Sequence, residues 1–124
     1  MKCEIGDIVA ITNFNHPDSG PGSLHFFVVM DADQDEYTLV DLVYYCFLIS
    51  SNTDKSNIVN PDYPYNEPIN PTDFNGLLKP SHVKCDYLYE INNKDDIIQK
   101  LGKVDENEYK RFVELYTQSL KTDY

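Results

Sequence analysis

"GPGSLHFFVVM", residues 20 to 30, is where the fold is decided. Gly20, Pro21, Gly22 and Ser23 suit no regular element. Leu24 to Met30 then runs apolar, interrupted only by His25. A short apolar run bounded by turn residues reads as a strand buried on both faces. A single titratable side chain therefore stands where a loop meets a strand. His25 is either a working group or an ordinary half-exposed residue at a strand start.

Upstream, Ile5 to Thr12 (IGDIVAIT) is rich in β-branched residues and reads as a first strand. Asn13 to Ser23, with two Pro, two Gly and the sequence PDSG, reads as a loop. Downstream, Asp31 to Glu36 forms an acidic turn. Tyr37 to Ser50 is longer than the usual strand of about 5–6 residues. Its Leu39, Leu42, Val43, Cys46 and Phe47 also fit helical spacing. The Tyr, Val and Thr content favours one long bent strand, or two strands broken near Asp41.

Ser51 to Thr72 carries four Pro and many Asn and Asp, and reads as a long loop. Phe74 to Lys79 suits a short helical turn that stops before Pro80. Val83 to Ile91 reads as a strand. Asn93 to Leu101 reads as a helix, with Asp95 and Asp96 in its first turn, Lys100 in its last and Gly102 as its stop. A final helix follows, with Asp105 as N-cap and Glu108 completing a capping box. Tyr109, Phe112, Val113, Tyr116 and Leu120 recur at helical spacing and form a stripe that packs on the sheet.

The 124 residues form most simply one domain, residues 1–124, and 41% of them are hydrophobic. No apolar run approaches the roughly 20 residues needed to span a bilayer. The N-terminus leads straight into strand-like sequence, so no signal peptide and a cytoplasmic location are expected. Cys3, Cys46 and Cys85 contain no C-x-x-C pair and read as reduced, buried thiols. His16, His25 and His82 are scattered, so no metal site is expected. The net charge is −11. Nucleic-acid binders usually carry a basic footprint, and here only Lys2 and Lys55 are basic in the first half.

In their order these pieces resemble the PemK/MazF family of toxins from toxin-antitoxin systems. IGDIVAI (Ile5 to Ile11) is similar to the family's opening strand. GPGSLHFFVVM stands where the family has a loop followed by Arg-Pro-Val-Leu-Val-Ile. LISS (Leu48 to Ser51) resembles its Pro-Ile-Thr-Ser. GLLKPSHVKCDYLYEI (Gly76 to Ile91) resembles its Gly-Leu-x-Lys-x-Ser-x-Val segment and the next strand. IIQKLGKVDENEYKRFVELY (Ile97 to Tyr116) resembles its ending. The resemblance implies a mainly β fold with C-terminal helices, an SH3-like small β-barrel, usually a homodimer. It also implies an antitoxin protein as partner and metal-independent cleavage of single-stranded RNA without a cofactor.

In that cleavage the ribose 2′-hydroxyl attacks the adjacent phosphate. A base takes its proton, an acid protonates the leaving oxygen, and positive charge stabilises the phosphorane. Arginine suits the last task because it stays charged and presents a planar fork of donors. Here His25-Phe26 replaces the family's Arg-Pro, Ser50 replaces its threonine, and Tyr89 stands where some members carry a further Arg. The resemblance makes His25, Ser50 and Ser51 the catalytic candidates, with Lys79 and His82 as substrate contacts. The bland readings are strand-end and turn chemistry for the serines and loop positions for Lys79 and His82. The alternative to an RNA-cleaving toxin is a non-catalytic binding module of the same fold, with an acidic surface suited to a basic partner.

Overall fold

The computed structural model describes residues 2–12, 24–51, 58–92 and 96–121, with the side chains of Leu42 and Ile98 left aside. Among these residues seven strands precede one helix. They are β1 (Asp7–Ile11), β2 (His25–Gln34), β3 (Asp41–Ser50), β4 (Asn66–Ile69), β5 (Ser81–Lys84), β6 (Tyr89–Ile91) and β7 (Ile97–Lys103), followed by α1 (Glu106–Lys121). The strands form one antiparallel sheet in the order β4-β5-β3-β2-β1-β7, with β6 also paired to β3. The expected class, mainly β with C-terminal helices, is the one observed, with one C-terminal helix among the described residues, where the hydrogen-bonded ladder does not close into a barrel.

The open side, between β4 and β7, is crossed by the loop that joins β4 to β5. Lys103 N–H donates to the Phe74 carbonyl across 2.9 Å. Gly76, at φ +70°, and Gly102 permit this approach: a Cβ at Gly76 would overlap the Leu101 carbonyl, and one at Gly102 the Phe74 carbonyl. Buried Asn75 pins the same loop. Its Oδ1 accepts from the N–H groups of Thr72 and Leu77, both at 3.0 Å, and its Nδ2 donates to the Asn70 carbonyl at 2.9 Å.

Alternation along the strands divides the core in two. Ile8, Val28, Met30, Phe47, Ile49 and Val83 form one cluster with Phe112 and Leu115 of the helix. Val9, Phe27, Val29, Tyr44, Cys46, Leu48 and Ile91 form the other. Phe27 to Met30 alternate between the two and are all buried, as the unbroken apolar run predicts.

The capping box forms: Glu108 N–H donates to Asp105 Oδ1 at 2.7 Å, and Asp105 N–H to Glu108 Oε1 at 3.0 Å. The helix seam is rotated from the expected stripe. Phe112 and Leu115 are buried, Tyr109 and Tyr116 flank them, and Val113 and Leu120 face solvent. Burying Phe112 and Leu115 contributes roughly 1.5–3 kcal/mol each. The Tyr109 hydroxyl donating to the Met30 carbonyl (2.8 Å) and the Arg111–Glu67 ion pair (3.3 Å) fix the helix on this face.

Five other expectations need correction. Residues 97–103 form a strand, not the end of a helix over 93–101, because pairing with β1 outweighs the helix-like charge pattern. The segment 51–72 contains β4. The segment 74–79 is a turn without helix, and 83–91 is two short strands separated by a turn after Cys85. Strand β2 also continues to Gln34, so the acidic turn falls later, where Asp35 Oδ1 accepts from the Tyr37 and Thr38 N–H groups at 2.9 Å each.

Candidate functional site

The register at the end of the sheet groups the candidate residues. Phe26 is paired with Ile49, and Ile49 with Val83, which makes an apolar row across β2, β3 and β5. One residue along, Ser50 is paired with His82, and His25 follows on β2. Side chains alternate, so His25, Ser50 and His82 share the opposite face. Neighbouring strands lie about 4.8 Å apart, which puts the α-carbons of His25 and His82 roughly 10 Å apart with Ser50 between them. All three are half-buried.

Lys84 stands two residues beyond His82 on β5 and therefore on the same face, also half-buried. The sequence reading missed it. The alternation His82-Val83-Lys84 was the signal, but it has meaning only once β5 is a strand. On β4, Pro68 lies opposite His82 and Asn66 opposite Lys84, while Ile11 of β1 lies opposite His25. Among the described strand residues of this patch there is no carboxylate. In a chain of net charge −11, the strand residues of the patch carry only the positive charge of Lys84, with Asp86 after β5 and Asp96 beside Thr12 at its margins.

Ser51 and Lys79 are not part of this row. They line a groove of about 290 Å³ with Phe26, Leu77, Ser81 and Leu101, at the edge of the helix-covered cluster. Five candidates therefore divide into three that come together and two that lie elsewhere.

Tyr89 is on the same face as the row, paired with Cys46 on β3. Its ring meets Phe27 edge-on at 5.9 Å and Tyr87 at 4.6 Å. Burial raises its phenol above the ordinary tyrosine value. Tyr89 is thus an aromatic packing group, and Tyr87 beside it is exposed.

The other singled-out groups serve the scaffold. All three cysteines are free and buried. Burial pushes the Cys46 thiol up to about 12 and raises Cys3 and Cys85 as well, which keeps them protonated and unreactive. Asp31 Oδ1 accepts from the Ala32 N–H at 2.9 Å, and Asp33 accepts from the Tyr45 hydroxyl at 2.6 Å. Glu106 pairs with Lys110 along the helix. His16 and Asp95 lie outside the described residues.

A mainly β sheet backed by a C-terminal helix, with a polar row at the end of β2, β3 and β5, defines a recognisable class. The fold is similar to that of a MazE–MazF crystal structure from Deinococcus radiodurans, with a TM-score of 0.67, 12% identity, and coverage of 98% of this chain and 97% of that one. It is also similar to the Mycobacterium tuberculosis toxin MazF-mt6, with a TM-score of 0.62, 16% identity, and coverage of 94% and 98%. No curated protein matches the chain by sequence. The family model for PemK-like, MazF-like toxins of type II toxin-antitoxin systems matches residues 4–115, and the chain belongs to that family.

Proposed function

We propose that this protein is an endoribonuclease toxin that cleaves single-stranded RNA by attack of a 2′-hydroxyl on the adjacent phosphate, without a metal or cofactor. The observation that carries this reading is the row His25–Ser50–His82 beside Lys84, a carboxylate-free patch of strand residues in an acidic chain. A phosphodiester needs such a place, because carboxylates would repel it. His25 is the proton-transfer group. Imidazole is the side chain whose ordinary titration lies nearest neutrality. Ser50 donates a hydrogen bond to a phosphate oxygen. Exposed Tyr87, which meets Tyr89 edge-on, offers a face for an unpaired base.

Family membership supports an antitoxin protein as partner, a homodimer as the working state and a cytoplasmic place of action. Among the described residues no helix is long and apolar enough to cross a membrane. Ser51 and Lys79, on the separate groove, are proposed to contact substrate beyond the scissile phosphate rather than the reacting atoms. The competing reading, a binding module without catalysis, draws on the net charge of −11 and on the absence of arginine at position 25.

The test is incubation of the purified protein with long single-stranded RNA of mixed sequence in the presence of EDTA, followed by end-group analysis. The nuclease reading expects fragments ending in 2′,3′-cyclic phosphate and 5′-hydroxyl. Intact RNA leaves the binding module as the account of this fold.

A further inference from the structure

Cleavage of this kind moves two protons and passes through added negative charge on phosphorus, and His25 alone cannot supply all three needs. We propose that β5 supplies the rest: His82 is the second proton-transfer group, working across Ser50 from His25, and Lys84 is the fixed cation that holds the phosphate. This rests on the nuclease reading above and assigns to that site two catalytic groups on one strand.

The placement is set by the ladder. The Ser50–His82 pair and the position of His25 next to Phe26 put both imidazoles on one face with a hydroxyl between them. The span of roughly 10 Å between their α-carbons leaves both rings room to reach opposite sides of one phosphodiester. Lys84 follows at the same-face position of β5. Lysine acts on phosphate as a point charge, so it needs less exact alignment than an arginine fork.

The step balances. One imidazole, neutral, takes the proton of the 2′-hydroxyl while that oxygen bonds to phosphorus. The bond from phosphorus to the 5′-oxygen breaks, and the other histidine, as imidazolium, gives its proton to that oxygen. The products are a 2′,3′-cyclic phosphate and a 5′-hydroxyl. The enzyme has gained one proton and lost one, and exchange with water resets it. Lys84 Nζ faces the charge that develops between these events. One histidine must start neutral and the other charged, so the rate peaks between two titrations.

Among the described residues the groups around these rings are few. His82 faces Ser50 on β3, Pro68 and Asn66 on β4, and Lys84 on its own strand, with Asp86 and Tyr87 in the turn that follows. His25 faces Ile11 on β1 and Ser50 on β3, with Asp96 close by, since its carbonyl accepts from the Thr12 N–H at 2.9 Å.

The experiment is the pH profile of single-stranded RNA cleavage by wild type, His82→Ala, Lys84→Ala and Lys84→Arg, with circular dichroism to establish that each variant folds. Wild type gives a bell. His82→Ala loses one limb and about 10²-fold or more in rate, and added imidazole restores part of it. Lys84→Ala loses about 10²-fold with both limbs in place, and Lys84→Arg keeps most of the rate. A His82→Ala protein that cuts at the wild-type rate with both limbs overturns the proposal and leaves the nuclease reading standing. So does a folded His82→Ala protein that is slow, keeps both limbs and ignores imidazole. Wild type that cuts no RNA at any pH overturns the nuclease reading itself, and this proposal with it.

Discussion

Phe26, Ile49 and Val83 stand side by side on β2, β3 and β5; His25, Ser50 and His82 stand side by side on the same strands, one residue along. The first row faces the helix and belongs with the larger core cluster, where Ile49 and Val83 are 4% and 0% exposed. The second faces the other way and is half open to water. A single step in register thus separates side chains that hold the sheet to the helix from polar side chains on the opposite, half-open face. Substitutions in the two rows should therefore differ in their consequences, chiefly for stability in the first and, on the nuclease reading, chiefly for cleavage in the second.

The largest break expected in the first row comes from Ile49→Ala. It should cost roughly 2–5 kcal/mol of stability in denaturant titration, through lost burial and the cavity left behind. Gly102→Ala tests the clasp across the open side of the sheet. An added methyl there meets the Phe74 carbonyl, and the expected loss is about 1–3 kcal/mol, visible as a lower Tm.

Tyr44→Phe sharpens the contrast within the second face, because Tyr44 lies on that face but deep in its core. Its hydroxyl donates to Asp41 Oδ2 at 2.7 Å and accepts from the Cys3 N–H at 3.0 Å. Removing it leaves buried partners unmet, at about 1–3 kcal/mol. Burial, chiefly, pushes the Tyr44 phenol up to about 12. The unfolded chain releases this proton near pH 10 while the folded chain keeps it. The stabilisation is therefore full below pH 10 and is lost as pH rises towards 12. The alkaline unfolding profile of Tyr44→Phe should be flatter than that of wild type over that window. Ser50→Ala has the smallest expected effect on stability, within about 0.5 kcal/mol. On the nuclease reading it slows RNA cleavage all the same, which is the contrast with Ile49→Ala, its immediate neighbour.

Much of this arrangement was legible in residue pattern. The β-branched opening strand, the two-sided burial of Phe27 to Met30 and the capping box at Asp105 and Glu108 are local signals that the tertiary structure does not override. β7 was hidden because Asp96, Lys100 and Gly102 imitate helix ends, whereas Gly102 is there for a close backbone contact. β4 was hidden by Pro68, which a strand at the end of the sheet tolerates. The helix seam shifted because Leu115 packs inward where Val113 was expected.

The site was legible as residue types, and the resemblance supplied His25, Ser50 and His82. That these three form one row, while Ser51 and Lys79 fall on a different groove, depends on strand register. Register is fixed by pairing between distant segments and has no local signature. Lys84 was overlooked for the same reason.

The central claim is that the row at the end of the sheet does chemistry that the fold does not need. The measurement that tests it most directly is the rate of single-stranded RNA cleavage by His25→Ala beside wild type, at equal concentration and with Tm recorded for both. The account predicts that cleavage falls by about 10²-fold or more, while Tm moves by no more than about 3 °C, the equivalent of about 0.5 kcal/mol in a domain of this size. Cleavage at the wild-type rate by a folded His25→Ala protein would contradict it.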